Sequence, residues 1–123
     1  MRYALVIAVF GFGLGTPVMA QNMLLSIFIP KAEALNKRGM MAMFSSDLKP
    51  LMNETNAGFA TYRKQLEAER AAHHPSSCPP HPLKVTSDEF MKSLETIPVA
   101  DRPNMTTTQG VQRFMAQRYP CPK

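Results

Sequence analysis

Apolar residues recur at three- and four-residue steps along most of this chain, and nowhere do they alternate long enough to make a strand. That period predicts an all-α fold. Residues 23–29 (MLLSIFI) form a short apolar run that Pro30 is expected to stop. Residues 31–44 read as a helix with Ala32, Leu35, Met41 and Phe44 on its inner stripe, weakened at Gly39. The longest helix is expected over residues 50–72. Ser45, Ser46 and Asp47 supply caps, and Met52, Phe59 and Leu66 fall seven apart with Thr55 and Tyr62 on the alternate steps. Gly58 sits inside it, at a cost of about 1 kcal/mol relative to Ala unless another backbone comes close. On its outer side, Glu67 with Arg70 and Glu69 with His73 have ion-pair spacing.

Residues 74–82 (HPSSCPPHP) cannot be helical, because Pro75, Pro79, Pro80 and Pro82 remove donors and bias their neighbours to extended geometry. Two capping boxes follow. Thr86 with Glu89 opens a helix that turns Phe90, Met91, Leu94 and Ile97 inward. Thr106 with Gln109 opens another, carrying Val111, Phe114, Met115 and Tyr119 up to Pro120. Asp88 and Glu89 suit a helix N-terminus. The sum is a small helical bundle of about four helices.

The N-terminus carries a different pattern. Arg2 precedes an uncharged apolar run at residues 4–14, a break at Gly15, Thr16 and Pro17, and small or modest residues up to Ala20. This is the layout of a secretory signal peptide over residues 1–20, cut between Ala20 and Gln21. The run is too short to remain as a membrane anchor. Residues 21–123 then form one small domain, with a net charge of about +4 once Arg2 leaves the +5 of the whole chain. Its basic residues are scattered, which gives nucleic-acid binding little support; a mildly basic surface could meet an acidic protein partner, while any single charge reads first as solvated surface.

Export changes the meaning of the two cysteines. An even count in an exported chain predicts one disulfide, Cys78–Cys121, rather than a metal site or a nucleophile. It would close a loop of about 44 residues and contribute roughly 4 kcal/mol on the chain-entropy model. His73, His74 and His81 crowd around Cys78 and are the only candidate metal ligands of the imidazole type. A bridged Cys78 cannot also serve as a thiolate, so no metal or other cofactor is expected. Met40, Met41 and Met43 could offer thioethers to Cu(I), but methionines at helical spacing ordinarily fill core or line an adaptable partner surface. No serine–histidine pairing, zinc-hydrolase motif or phosphate loop occurs, so the chain is not expected to be an enzyme. The sequons at Asn53 and Asn104 have meaning only in a eukaryotic secretory pathway.

The C-terminal half carries a resemblance. Ala57-Gly58-Phe59 in a helix, Cys78 followed by Pro79-Pro80, Val85-Thr86 opening a helix, the link Ala100-Asp101-Arg102-Pro103 and the ending Tyr119-Pro120-Cys121-Pro122 occur in that order. Over residues 56–122 the chain resembles the immunity proteins that protect bacteria against amidase effectors of type VI secretion systems. The resemblance implies a periplasmic protein that plugs the cleft of an injected peptidoglycan amidase. Such a protein needs a complementary surface and no catalytic group. The rigid candidates for contact are the loop over residues 75–82 and the link over residues 100–104, and a homodimer is compatible with this role. Two other readings remain: an exported binding or chaperone-like module with a methionine-rich face, and a metal-binding periplasmic protein using the histidine loop.

Overall fold

The computed structural model describes residues 23–122. The expected leader over residues 1–20 lies outside them, as do Gln21 and Asn22. Four α-helices are present among the described residues: α1 (Leu25–Arg38), α2 (Leu48–Ala71), α3 (Ser87–Glu95) and α4 (Thr107–Arg118). Two 3-10 turns join them, at Gly39–Phe44 and Arg102–Asn104. The only β-type pairing among these residues is one antiparallel bridge between Leu24 and Thr106. The fold is the expected all-α bundle with one disulfide, Cys78–Cys121, whose Cα atoms lie 4.9 Å apart.

The first helix departs from expectation. It runs through Pro30 instead of starting after it. Proline there removes a single donor, the one that would reach the Ser26 carbonyl. The ring is exposed and Ser26 is only partly buried. Burial of Leu25, Phe28, Ile29 and Leu35 on both sides of the proline holds the helix together. At about 1.5–3 kcal/mol per buried side chain, those four outweigh a proline cost of about 3 kcal/mol.

The helix ends where glycine allows it to. Gly39 has φ +57°, a left-handed value that side-chain-bearing residues avoid. Lys37 and Arg38 occupy the last turn, where the helix dipole favours cations. Beyond this break the chain winds as a 3-10 turn, which alters every facing. Met41 and Phe44, expected inward, are exposed.

The inner face of α2 is rotated from the expected one. Leu51, Glu54, Ala57, Gly58, Tyr62 and Leu66 are buried, while Met52 is exposed and Phe59 and Thr55 are only partly covered. The helix turns its small residues inward because α4 packs directly on them. A Cβ at Gly58 would sit 3.1 Å from Val111 Cγ2 and 3.5 Å from the Thr108 Cα. The expected outer ion pairs are not formed either. Glu69 instead accepts hydrogen bonds from Ser76 and Gln65.

Both capping boxes are complete. Glu89 N–H donates to Thr86 Oγ1 at 3.2 Å, and Gln109 N–H donates to Thr106 Oγ1 at 3.2 Å, each with the reciprocal bond from the cap backbone. Phe90, Met91, Leu94 and Ile97 are buried as expected, together with Val111, Phe114 and Met115. Phe90 stands at the centre of the core. Its ring centroid lies 5.6 Å from that of Phe59, 5.6 Å from that of Phe114 and 6.4 Å from that of Phe28. The edge-on and tilted geometries are those that aromatic quadrupoles favour.

Candidate protein-docking surface

The 3-10 turn between α1 and α2 creates the most unusual surface of the molecule. A 3-10 helix has three residues per turn, so residues three apart share an edge. Gly39 and Ala42 therefore share one edge, Met40 and Met43 a second, and Met41 and Phe44 the third. The first edge lines an apolar groove of about 360 Å³, bounded also by Leu35, Leu48, Met52 and Phe90. No charged side chain among the described residues lines it. The other two edges stand in water. Met40 is 85% exposed, Met41 67%, Met43 73% and Phe44 84%. Four large apolar side chains in five successive residues, open to solvent beside a groove, form a contiguous patch rather than scattered exposure.

The rim of this patch is mostly basic. Lys37 and Arg38 immediately precede the turn and Lys49 follows it, all exposed. Arg38 donates to Ser45 Oγ at 3.3 Å, which holds the far end of the turn to α1. Lys31 and Asp47 approach to 3.9 Å across the same region, both about half exposed. Asp47 stands at the N-cap of α2 without a side-chain capping bond, and its backbone N–H donates to Ser45 Oγ at 3.2 Å. The arrangement presents apolar anchors inside a positive border. Methionine's unbranched, polarisable side chain lets such anchors adapt to a partner's shape.

The proline loop lies at the other end of α2, which at 24 residues spans about 36 Å. It is firmly held. Cys78 is bonded to Cys121, and the Cys78 N–H donates to the Tyr119 carbonyl at 2.8 Å. The buried Tyr62 and Ser77 hydroxyls bond each other. Glu69 accepts from the Ser76 N–H at 3.0 Å and from its hydroxyl, and these bonds hold its carboxyl below the ordinary carboxylate value. The sequence pattern alone did not point to Tyr62–Ser77 or Glu69–Ser76, because both pairs join a helix to a loop of irregular geometry.

The histidines do not converge. His73, His74 and His81 are all exposed, and among the described residues no three His, Cys, Asp or Glu side chains gather at a metal-sized site. His73 has a different task. Its φ of +62° places it in the left-handed position after α2. Its N–H reaches the Arg70 carbonyl at 3.0 Å, and the His74 N–H reaches the Glu69 carbonyl at 2.8 Å. These are the two bonds of a Schellman termination, here with histidine where glycine is usual.

The link over residues 100–104 is braced as well. Arg102 donates to the Ile97 carbonyl at 3.0 Å and the Glu95 carbonyl at 3.2 Å, capping the end of α3. Next to it the start of the described chain is clamped down. Leu25 N–H reaches the Met105 carbonyl at 2.8 Å, and Thr107 N–H and Oγ1 reach the Met23 carbonyl at 2.9 and 3.0 Å.

Beneath that clamp lies Glu54, fully buried on α2. Its Oε1 accepts from Met23 N–H at 2.6 Å, and its Oε2 is buried without a hydrogen-bond partner. Burial raises its carboxyl above the ordinary value, against a smaller downward pull from the Met23 N–H. An acidic residue inside the apolar face of α2 was not foreseen from the pattern, since a lone Glu at a helical position ordinarily reads as surface.

No protein-family model, curated protein or solved structure matches the chain. No helix among the described residues is long and apolar enough to cross a membrane.

Proposed function

We propose that the chain is an exported binding protein that grips a protein partner through the methionine–phenylalanine turn, and that the partner is a peptidoglycan amidase of the type VI effector class. The carrying observation is the exposure of Met40, Met41, Met43 and Phe44 beside an apolar groove. Keeping four such side chains in water has no benefit for the isolated domain, and a partner surface is what would cover them. The basic border of Lys37, Arg38 and Lys49 supplies charge complementarity to an acidic rim on that partner. The choice of an amidase follows from the resemblance of residues 56–122 to amidase immunity proteins, and a disulfide suits the periplasm in which such proteins work.

Inhibition on this reading is steric. The backbone of the turn is held to α1 by the Arg38–Ser45 bond, while its methionine side chains adjust to the partner's surface. Co-expression in the periplasm with a set of type VI amidase effectors provides the test. The wild-type chain is expected to protect cells from lysis by at least one of them, and the Met41→Asp/Phe44→Asp variant to lose that protection while remaining folded. Protection from none, or equal protection by the variant, would refute the reading.

A further inference from the structure

The methionines among the described residues fall into two groups. Met40, Met41, Met43 and Met52 are exposed, and all four stand at the turn and groove between α1 and α2. Met91 and Met115 are buried, and Met23 and Met105 are partly covered where they pack against the core. The exposed thioethers also face no competition for an oxidant. The chain has no tryptophan, and its two cysteines are joined to each other, so no free thiol intercepts one.

Oxidation at these sulfurs changes the surface and leaves the fold alone. The thioether sulfur attacks one oxygen of hydrogen peroxide and the oxygen–oxygen bond breaks. Sulfur gives up two electrons and keeps that oxygen as a sulfoxide, while the other oxygen leaves as water. A flexible apolar side chain thereby becomes a polar hydrogen-bond acceptor. Three of the four apolar anchors of the turn, all but Phe44, carry such a sulfur, and Met52 adds another at the groove. None of the four belongs to the buried core, so its packing does not depend on their oxidation state.

We propose that Met40, Met41, Met43 and Met52 form a reversible modification site: peroxide converts them to sulfoxides and turns the docking face polar, and enzymatic reduction restores it. In the return step a dithiol is the reductant. The sulfoxide oxygen leaves as water, the thioether is regenerated, and the dithiol closes to a disulfide. The modification stands on exposure and sulfur chemistry alone. Its effect on a partner rests on the proposed use of this turn as the docking face, and a partner is then held only while these sulfurs are reduced.

The test exposes the isolated protein to hydrogen peroxide and follows each methionine by peptide mass, a sulfoxide adding about 16 Da. Met40, Met41, Met43 and Met52 are expected to oxidise roughly tenfold faster than Met91 and Met115, with the thermal midpoint moving by less than about 2 °C. Rates that do not separate the two groups, or unfolding with the first sulfoxides, would overturn the proposal. Retention on a phenyl matrix reads the surface itself. The treated protein should elute earlier and return to its starting position after a pair of methionine sulfoxide reductases, one for each epimer, acts with a dithiol donor. Unchanged retention, or a loss the reductases do not reverse, would overturn it. The Met40→Leu/Met41→Leu/Met43→Leu/Met52→Leu variant keeps the face apolar with no thioether to oxidise, so peroxide should leave its retention in place. An equal shift in that variant would put the sensitive groups elsewhere and sink the proposal. Given an amidase that the untreated chain restrains, the treated wild-type chain should restrain it at least about tenfold more weakly and the variant should be indifferent to peroxide. Equal restraint before and after treatment would refute the switch. If the untreated chain restrains no amidase, the functional reading falls, and the mass and retention results still decide the modification.

Discussion

Gly110 has the closest surroundings of the glycines among the described residues, and replacing it with alanine tests the packing directly. A Cβ there would meet Leu94 Cδ2 at 2.9 Å and both Leu25 methyl carbons at 3.3 Å. The first distance is shorter than real carbon contacts allow, and the other two are tight. All three belong to side chains with no exposed surface, one from α3 and one from α1. These methyls end flexible side chains, but in a fully buried setting they have nowhere to swing. Overpacking of this kind costs about 1–3 kcal/mol. Against it stands the helix propensity of alanine, worth about 1 kcal/mol over glycine at an interior position. The balance predicts that Gly110→Ala loses roughly 1 kcal/mol. Gly58→Ala provides the contrast, because its new Cβ meets one tight contact, Val111 Cγ2 at 3.1 Å, and should come out near neutral. Urea unfolding, read as a shift in midpoint at constant slope, measures both. Leu94→Ala sharpens the assignment. Alone it should cost about 2–5 kcal/mol, and in the Gly110→Ala background less, with a coupling of about 1 kcal/mol. If Gly110→Ala raised stability as it would on an exposed helix, the three-helix contact at this residue would be wrong.

Three further outcomes follow from local geometry. His73→Gly should stabilise the domain by about 1 kcal/mol, because glycine meets the left-handed φ of +62° without the steric cost histidine bears there; thermal denaturation would show it. Replacing Cys78 and Cys121 together with serine should lower unfolding free energy by about 4 kcal/mol, set by the separation of 43 residues, while the circular-dichroism helix signal of the folded protein stays unchanged. Glu69 contributes a pH dependence: its carboxyl is held below the ordinary value by Ser76, so its stabilisation is present above the unfolded-chain value of 4.5 and is lost as pH falls through the lowered folded value. Denaturant midpoints measured across that acidic range should fall less steeply in Glu69→Gln than in the wild-type chain.

Much of the bundle was legible because its signals were local. Thr86 with Glu89 and Thr106 with Gln109 satisfy backbone donors within one turn, so the spacing alone carries the prediction. The inward residues of α3 and α4 followed from a clean period. The even cysteine count, read together with an expected leader, carried the disulfide. What failed needed tertiary information. Pro30 marks a stop by intrinsic preference, but burial of apolar side chains on both sides outweighs it. The face of α2 was misread because its true inner positions include Glu54, Ala57 and Gly58, which look polar or small until α4 is laid against them. The methionine turn was misread because one residue, Gly39, changes the winding from 3.6 to 3.0 residues per turn and moves Met41 and Phe44 from inside to outside.

The site was therefore visible as composition and not as surface. A methionine-rich stretch was open to a partner-binding reading from the start. Only the 3-10 geometry distinguishes an exposed patch from core. Conversely, the loop around Cys78 looked like the projecting element, yet its bonds to α2 and Tyr119 make it a brace at the far end of the molecule.

The central claim is that a cell-wall amidase is gripped by the turn between α1 and α2, and amide hydrogen exchange on the mixed proteins tests it most directly. New protection is expected over residues 39–52 when the chain meets a type VI peptidoglycan amidase that it restrains. Protection confined to residues 75–82, or no change with any such amidase, would contradict it.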